Sequence, residues 1–311
     1  MREYREYREY EVTASVKNKH SLMRIATLAS IGVACTLIAV KFGGWVMTGS
    51  VSLLSTLVDS FLDFAASIIN FIAVYHAIQP ADKEHRFGHG KAEPIAGLVQ
   101  ASFISGSAIF LLFEAGERLI KPRSIEYSEI GYAVLIFSII LTVILVIFQG
   151  YVVKKSGSVA IQADSVHYKT DVAINVSVIA SIFLSTSIGW LFADAIFAIG
   201  IAAYIFKSAI EIGYSSLNML MDHELPELER QNIVKIATKP SEVRGVHDLR
   251  TRSSGANYFI QLHLEMDGNM ILSDAHELAE QVMLNLQAAY PNAEVIIHQD
   301  PEGVEEERAI F

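Results

Sequence analysis

The chain has 311 residues, 52% of them hydrophobic and 19% charged, with a mean hydropathy of +0.36 and a net charge of −10. Such a composition excludes an ordinary soluble globular protein and reads as a membrane protein with several spans. The single cysteine, Cys35, excludes an internal disulfide and any thiolate-cluster metal site; the acidic excess, seventeen acidic against seven basic residues from Asp222 onward, argues against a nucleic-acid partner.

Residues 1–20 open on the REYREYREYE run, whose alternating charge reads as a solvated tail or a short interfacial helix. This charged start lacks the apolar core of a cleavable signal peptide. Six apolar segments follow, at about 25–47, 51–77, 92–119, 130–153, 159–184 and 190–217, and predict six transmembrane helices within residues 21–221. The second and fifth begin alike. Gly49-Ser50-Val51 precedes Asp59 by ten positions and Asp63 by fourteen, counted from the glycine, and Gly157-Ser158-Val159 stands at the same offsets from His167 and Asp171. That is the signature of an internal repeat.

Ten to fourteen helical residues span roughly 15–21 Å, which reaches the middle of a ~30 Å hydrocarbon layer. Residues four apart share a helix face, so Asp59, Asp63, His167 and Asp171 offer four oxygen and nitrogen ligands from two helices. Four such ligands can close a tetrahedron around a divalent ion, with Zn²⁺ the leading candidate. Three carboxylates in lipid must hold protons when no cation is present, so metal arrival displaces them. Asp164 extends the stripe and reads as part of a water-lined path, whereas Asn70 and Asn175 either line it or cross-link helices. Lys41 lies near the outer end of its segment, close enough to snorkel, and is assigned no role.

The positive-inside rule places Lys17, Lys19, Arg24, Lys83, Arg86, Lys91, Lys154 and Lys155 in the cytoplasm with both termini, and Arg118, Lys121 and Arg123 outside. The second and fifth segments then run in opposite directions, an inverted repeat suited to alternating access. Between the second and third segments, Asp82, His85 and His89 stand at three- and four-residue spacing, with Gly88 and Gly90 freeing the backbone. The pattern fits a metal site, and solvated loop histidines produce it as well.

From Asp222 the periodicity changes. A helix is expected over 225–237 with Pro226 in its first turn, and strands over 243–252 and 258–266. A second helix then runs from Ser273 as N-cap to about Tyr290, and a strand covers 294–298. This αββαβ order predicts a cytoplasmic ferredoxin-like α+β domain over 222–301, followed by a frayed acidic tail at 302–311. His247, His263, His276, His298 and Asp300 fall within it. Spacing alone leaves them either a metal cluster or a mixture of surface and core side chains, with His223 a bystander.

Taken in order, the DxxxD and HxxxD pairs, the Asp82 to Lys91 loop, Val246-His-Asp-Leu-Arg-Thr-Arg252 and Ile297-His-Gln-Asp-Pro301 resemble the bacterial cation diffusion facilitators over residues 21–301. The resemblance implies a homodimeric, multi-pass antiporter of the bacterial inner membrane that exports Zn²⁺ against protons, with Asp59, Asp63, His167 and Asp171 as the transport site. It implies a second zinc site at Asp82, His85 and His89. In the cytoplasmic domain it implies a paired site, Asp300 bridging one ion on His247 and His263 and another on His276 and His298. A charge pair between Lys91 and Asp222 would hold the protomers together at the membrane surface. Cd²⁺, Fe²⁺ or Mn²⁺ as cargo, and a metal sensor or channel, are the alternatives. An intramembrane zinc hydrolase is disfavoured, because His223-Glu-Leu-Pro-Glu lacks the second histidine of HExxH.

Overall fold

The computed structural model describes residues 2–49, 51–120, 129–188, 190 and 192–303. The chain divides into two compact units, Asn18–Leu217 and Asn218–Phe311, the second also including Met1–Lys17. Six long helices come first: α1 (Arg2–Thr48), α2 (Val51–Ala77), α3 (Ala92–Ile120), α4 (Glu129–Ser156), α5 (Val159–Ile188) and α6 (Ala193–Leu220). They form the transmembrane domain. Five are long and apolar enough to cross a membrane by composition. The remaining helix, α5, is 30 residues long and carries Asp164, Lys169 and Asp171 in its first half. The REY run continues α1 as helix, where the sequence left open a solvated tail or a short interfacial helix, because Arg and Glu are good helix formers.

The bundle interior mixes small and polar residues with apolar ones, since with tails as apolar as leucine outside, helices gain by close approach and by hydrogen bonds. On α4 the buried stripe is Gly131, Val134, Leu135, Ser138, Thr142, Leu145, Gln149, Val152 and Ser156, at helical spacing. Many large apolar side chains turn outward; Phe113 is 76% and Ile147 68% exposed. Cys35 on α1 is exposed too.

Gly49 and Gly157 have φ of +63° and +71°, and their N–H groups donate to the carbonyls of Trp45 and Val153 at 2.7 and 2.8 Å. Both therefore end a helix in the left-handed conformation that glycine adopts without strain. A repeated tripeptide in the sequence is thus, at its glycines, a repeated helix break just before α2 and α5. Ser50 lies outside the described residues, as do Lys121, Arg123 and the acidic tail beyond 303. The start of α5 is held from α3. Buried Glu93 accepts from Ser158 Oγ and from the backbone N–H groups of Val159 and Ala160, pairing a carboxyl group with the donors that a helix start leaves free. At the other end of α3, Arg118 donates to Asp194 of α6 and to Glu114 at 2.6 Å.

The second unit is an α+β domain: α7 (Glu227–Ala237), β1 (Gly245–Ser254), β2 (Asn257–Met266), α8 (Leu272–Ala289) and β3 (Ala293–Pro301). The sheet order is β1-β2-β3, with β1 and β2 antiparallel and β2 and β3 parallel across the α8 crossover. Ile260, Leu262 and Leu264 of β2 pack with Leu278, Val282 and Leu286 of α8 and with Ile233 of α7. The alternation of a strand then leaves His263 on the other face. Two boundaries differ from the sequence expectation. Pro226 stands at the N-cap of α7, one position before the helix. Ser273 lies inside α8, whose N-cap is Ile271 with no side-chain cap, and its hydroxyl turns to Asp274 Oδ1 at 3.2 Å instead.

Candidate metal centres

Among the described residues, three groups of His and Asp side chains have ligand atoms within 4.8 Å of one another. In the helix bundle, His167 Nε2 of α5 lies 2.8 Å from Asp63 Oδ1 of α2 and 3.9 Å from Asp171 Oδ2. All three side chains are half-buried. Asp59, one turn from Asp63 on α2, is exposed and stands outside that group. Beside it lies Lys41 of α1, which the sequence reading left without a role. Its ammonium donates to the Thr56 carbonyl at 3.0 Å and to Ser60 Oγ at 2.7 Å. Lys41 is thus tied to the helix that carries Asp59 and Asp63.

Asp164 also departs from its expected place. It is 1% exposed, and its Oδ2 accepts from Ser30 Oγ of α1 at 2.6 Å and from Gln149 Nε2 of α4 at 2.7 Å. A buried polar knot stands where a water-lined path was expected. Tyr168, next to His167, closes it by hydrogen-bonding Ser67 of α2 at 2.9 Å and the Ser30 carbonyl at 3.3 Å. Asn70 is buried with Nδ2 unpartnered, so it cross-links nothing through that atom.

The loop group is built by a turn. Asp82 Oδ1 accepts from the backbone N–H groups of His85 at 2.6 Å and Glu84 at 2.9 Å. These donors, His85 first, hold the Asp82 carboxyl below the ordinary aspartate range, so it is an anion through neutral and mildly acidic pH. Its Oδ2 lies 3.3 Å from His89 Nε2, and the His85 and His89 rings are 4.6 Å apart. Gly88 takes φ +77° to bring the two histidines round, while Gly90 needs no such conformation. His89 Nδ1 is buried without a partner. Donors of this kind, two imidazoles and one carboxylate, suit a first-row divalent ion.

In the cytoplasmic domain, register does the assembling. His247 of β1 pairs with His263 of β2, and His263 with His298 of β3, so three histidines stand in a row across the sheet. Buried Asp300 joins them. Its Oδ2 lies 2.8 Å from His263 Nδ1 and 3.2 Å from His247 Nε2, and its Oδ1 lies 3.1 Å from His298 Nε2. The two oxygens of one carboxylate thus serve different histidines. His276 of α8 lines a separate cleft with Leu272, Ser273 and Gln299.

Two acidic residues missed in the sequence complete the cluster. A bulge between His247 and Arg250, with Asp248 at φ +46°, brings Asp248 Oδ2 to 3.7 Å from His263 Nε2. Glu265 Oε1 lies 2.6 Å from His247 Nδ1, off the hydrogen-bond axis, so the contact is electrostatic. Period-2 alternation puts Glu265 on the His263 face, a signal that was available. Of the remaining expected residues, Asp222 accepts from Arg252 Nη1 at 3.3 Å within its own unit, and Lys91 lies immediately before α3.

Residues 27–221 match the cation efflux transmembrane domain family, and residues 225–302 match the cytoplasmic domain of cation efflux proteins. The cation-efflux pump FieF of Shewanella oneidensis is 48% identical over 283 residues, covering 91% of this chain and 95% of its own. Its counterpart from Klebsiella pneumoniae is 45% identical over 283 residues, covering 91% and 94%. Among solved structures, the metal-bound C-terminal domain of the CzcD transporter from Thermotoga maritima is 30% identical, covering 26% of this chain and 100% of its own with a TM-score of 0.25.

Proposed function

The chain belongs to the cation efflux family and is a multi-pass divalent-cation efflux transporter, and from that premise we propose that it exports Zn²⁺ in exchange for protons, as a homodimer in the bacterial inner membrane with both termini cytoplasmic. The observation that carries this reading is the Asp63, His167 and Asp171 group on α2 and α5. Ionisable side chains inside a membrane domain are costly and mark ion pathways. The α2 and α5 breaks at Gly49 and Gly157 support two equivalent elements meeting at one site.

Zn²⁺ is the cargo in this reading, held by Asp63, His167 and Asp171, with Asp59 closing the shell when α2 brings its carboxylate in. The same ligands bind protons, so each side of the membrane exchanges one for the other. Resident zinc ions would be held at Asp82, His85 and His89, and at the cytoplasmic cluster of His247, His263, His298 and Asp300, with His276 the remaining expected ligand. There metal supplies charge neutralisation and cross-linking of strands. Lys91 and Asp222 are proposed as the charge pair between protomers. Enzymatic chemistry has no place in the scheme.

In proteoliposomes with a pH gradient, zinc uptake should be abolished by Asp63→Ala, while the variant still elutes as a folded dimer. Flux at the wild-type rate in that variant would remove the site.

A further inference from the structure

Asp164 and Gln149 share an imbalance that neither resolves alone. Gln149 Nε2 donates to Asp164 Oδ2 at 2.7 Å and to Ser30 Oγ at 2.9 Å, and Ser30 Oγ donates to the same Oδ2 at 2.6 Å. That leaves Asp164 Oδ1 and Gln149 Oε1, both buried and both without a partner. Each is an acceptor if the acid is ionised, so neither can satisfy the other. Both residues are fully enclosed, at 1% and 0% exposure. An ion pair would balance the charge, yet among the described residues no lysine or arginine reaches Asp164. The charged groups that face it are His167 on its own helix and Asp63 on α2; α1 and α4 present only the neutral Ser30 and Gln149. Neutral Tyr168, also on α5, is engaged with Ser67 and the Ser30 carbonyl.

A proton on Oδ1 turns one of these two orphan acceptors into a donor, the kind of group that Gln149 Oε1 lacks, while Gln149 Nε2 still donates to Oδ2. We propose that Asp164 is a proton-binding site of the transport cycle, separate from the metal ligands and built by Gln149 and Ser30. It deepens, and rests on, the zinc/proton exchange proposed above. The site lies one helical turn from His167. A divalent cation arriving there favours the carboxylate. The O–H bond then breaks, its electron pair stays on Oδ1, and the proton passes to water when the transport cycle opens the enclosed site to one side. Departure of the metal lets the proton return.

The test is zinc-induced proton release by the full-length protein, read with a pH indicator in weakly buffered solution during titration with Zn²⁺. Asp164→Asn puts a neutral N–H donor in place of the acid's O–H, but it has no proton to give. It should release about one fewer proton per zinc ion than the wild type, and its zinc affinity should rise less steeply with pH. Equal proton counts in the two proteins would overturn the proposal. No release from the wild type would overturn the exchange reading itself. If Asp164→Asn does not fold, Gln149→Leu decides. The wild type should show an infrared carboxylic-acid carbonyl band that zinc removes, and this band should shift in Gln149→Leu. A zinc-sensitive band that stays in place would sink the assignment.

Discussion

At the scale of single residues, the three clusters are built by setting an imidazole beside a carboxylate. His167 has Asp63 at 2.8 Å, His89 has Asp82 at 3.3 Å, and His263 has Asp300 at 2.8 Å. Carboxylate neighbours raise ligand basicity and fix ring orientation, and losing one typically costs about 10–100-fold in metal affinity. Glu265 beside His247 is in that position without being a candidate ligand. Glu265→Gln should weaken metal binding at the cytoplasmic cluster by roughly 10–100-fold while leaving the intramembrane site untouched. Competition titration against a chelating dye would show it, and unchanged affinity at both sites would remove Glu265 from the cluster. Asp63, His167 and Asp171 stood out in the sequence because a polar residue in an apolar run has few structural uses. Lys41 did not, because its contacts with Thr56 and Ser60 depend on how α1 lies against α2. Asp248 was hidden by a bulge that no periodicity announces.

At the scale of elements, helix approach decides which side chains meet. Gly97 of α3 faces Ser216 of α6 and Val159 of α5; a methyl group there would overlap Ser216 Oγ and crowd Val159 Cγ1 at 3.2 Å. Gly97→Val should therefore destabilise the bundle by about 1–3 kcal/mol, the usual range for overpacking. Thermal unfolding of the purified protein should show a lower Tm, whereas an unchanged Tm would mean α3 has room to move. The same three helices are tied by Glu93 at the start of α5 and Arg118 at the start of α6. Helix existence was legible from apolar length. The helix pairings were not, because the buried stripe of α4 mixes Ser138, Thr142, Gln149 and Ser156 with valine and leucine while many of its apolar residues face outward. In the α+β domain the reverse held. Strand alternation predicted the core face, and register then aligned His247, His263 and His298 without further information.

At the scale of the whole molecule, the chain separates a bundle shaped by lipid from a domain shaped by water, and composition alone marks the change near Asp222. Charge follows the division, since the acidic excess lies in the second part. The αββαβ order was readable because each element is short and bounded by turn residues. The α1 span offers a direct check on the lipid assignment. Cys35 is the only thiol in the chain and lies exposed within Lys17–Thr48. A membrane-partitioning maleimide should label native vesicles at this position while a charged, water-confined one does not; equal labelling by both would place that side of α1 in an aqueous cavity. Because no other sulfhydryl competes, one spectroscopic probe can be attached to the unmodified protein, and α1 can be followed during turnover without first building a cysteine-free background.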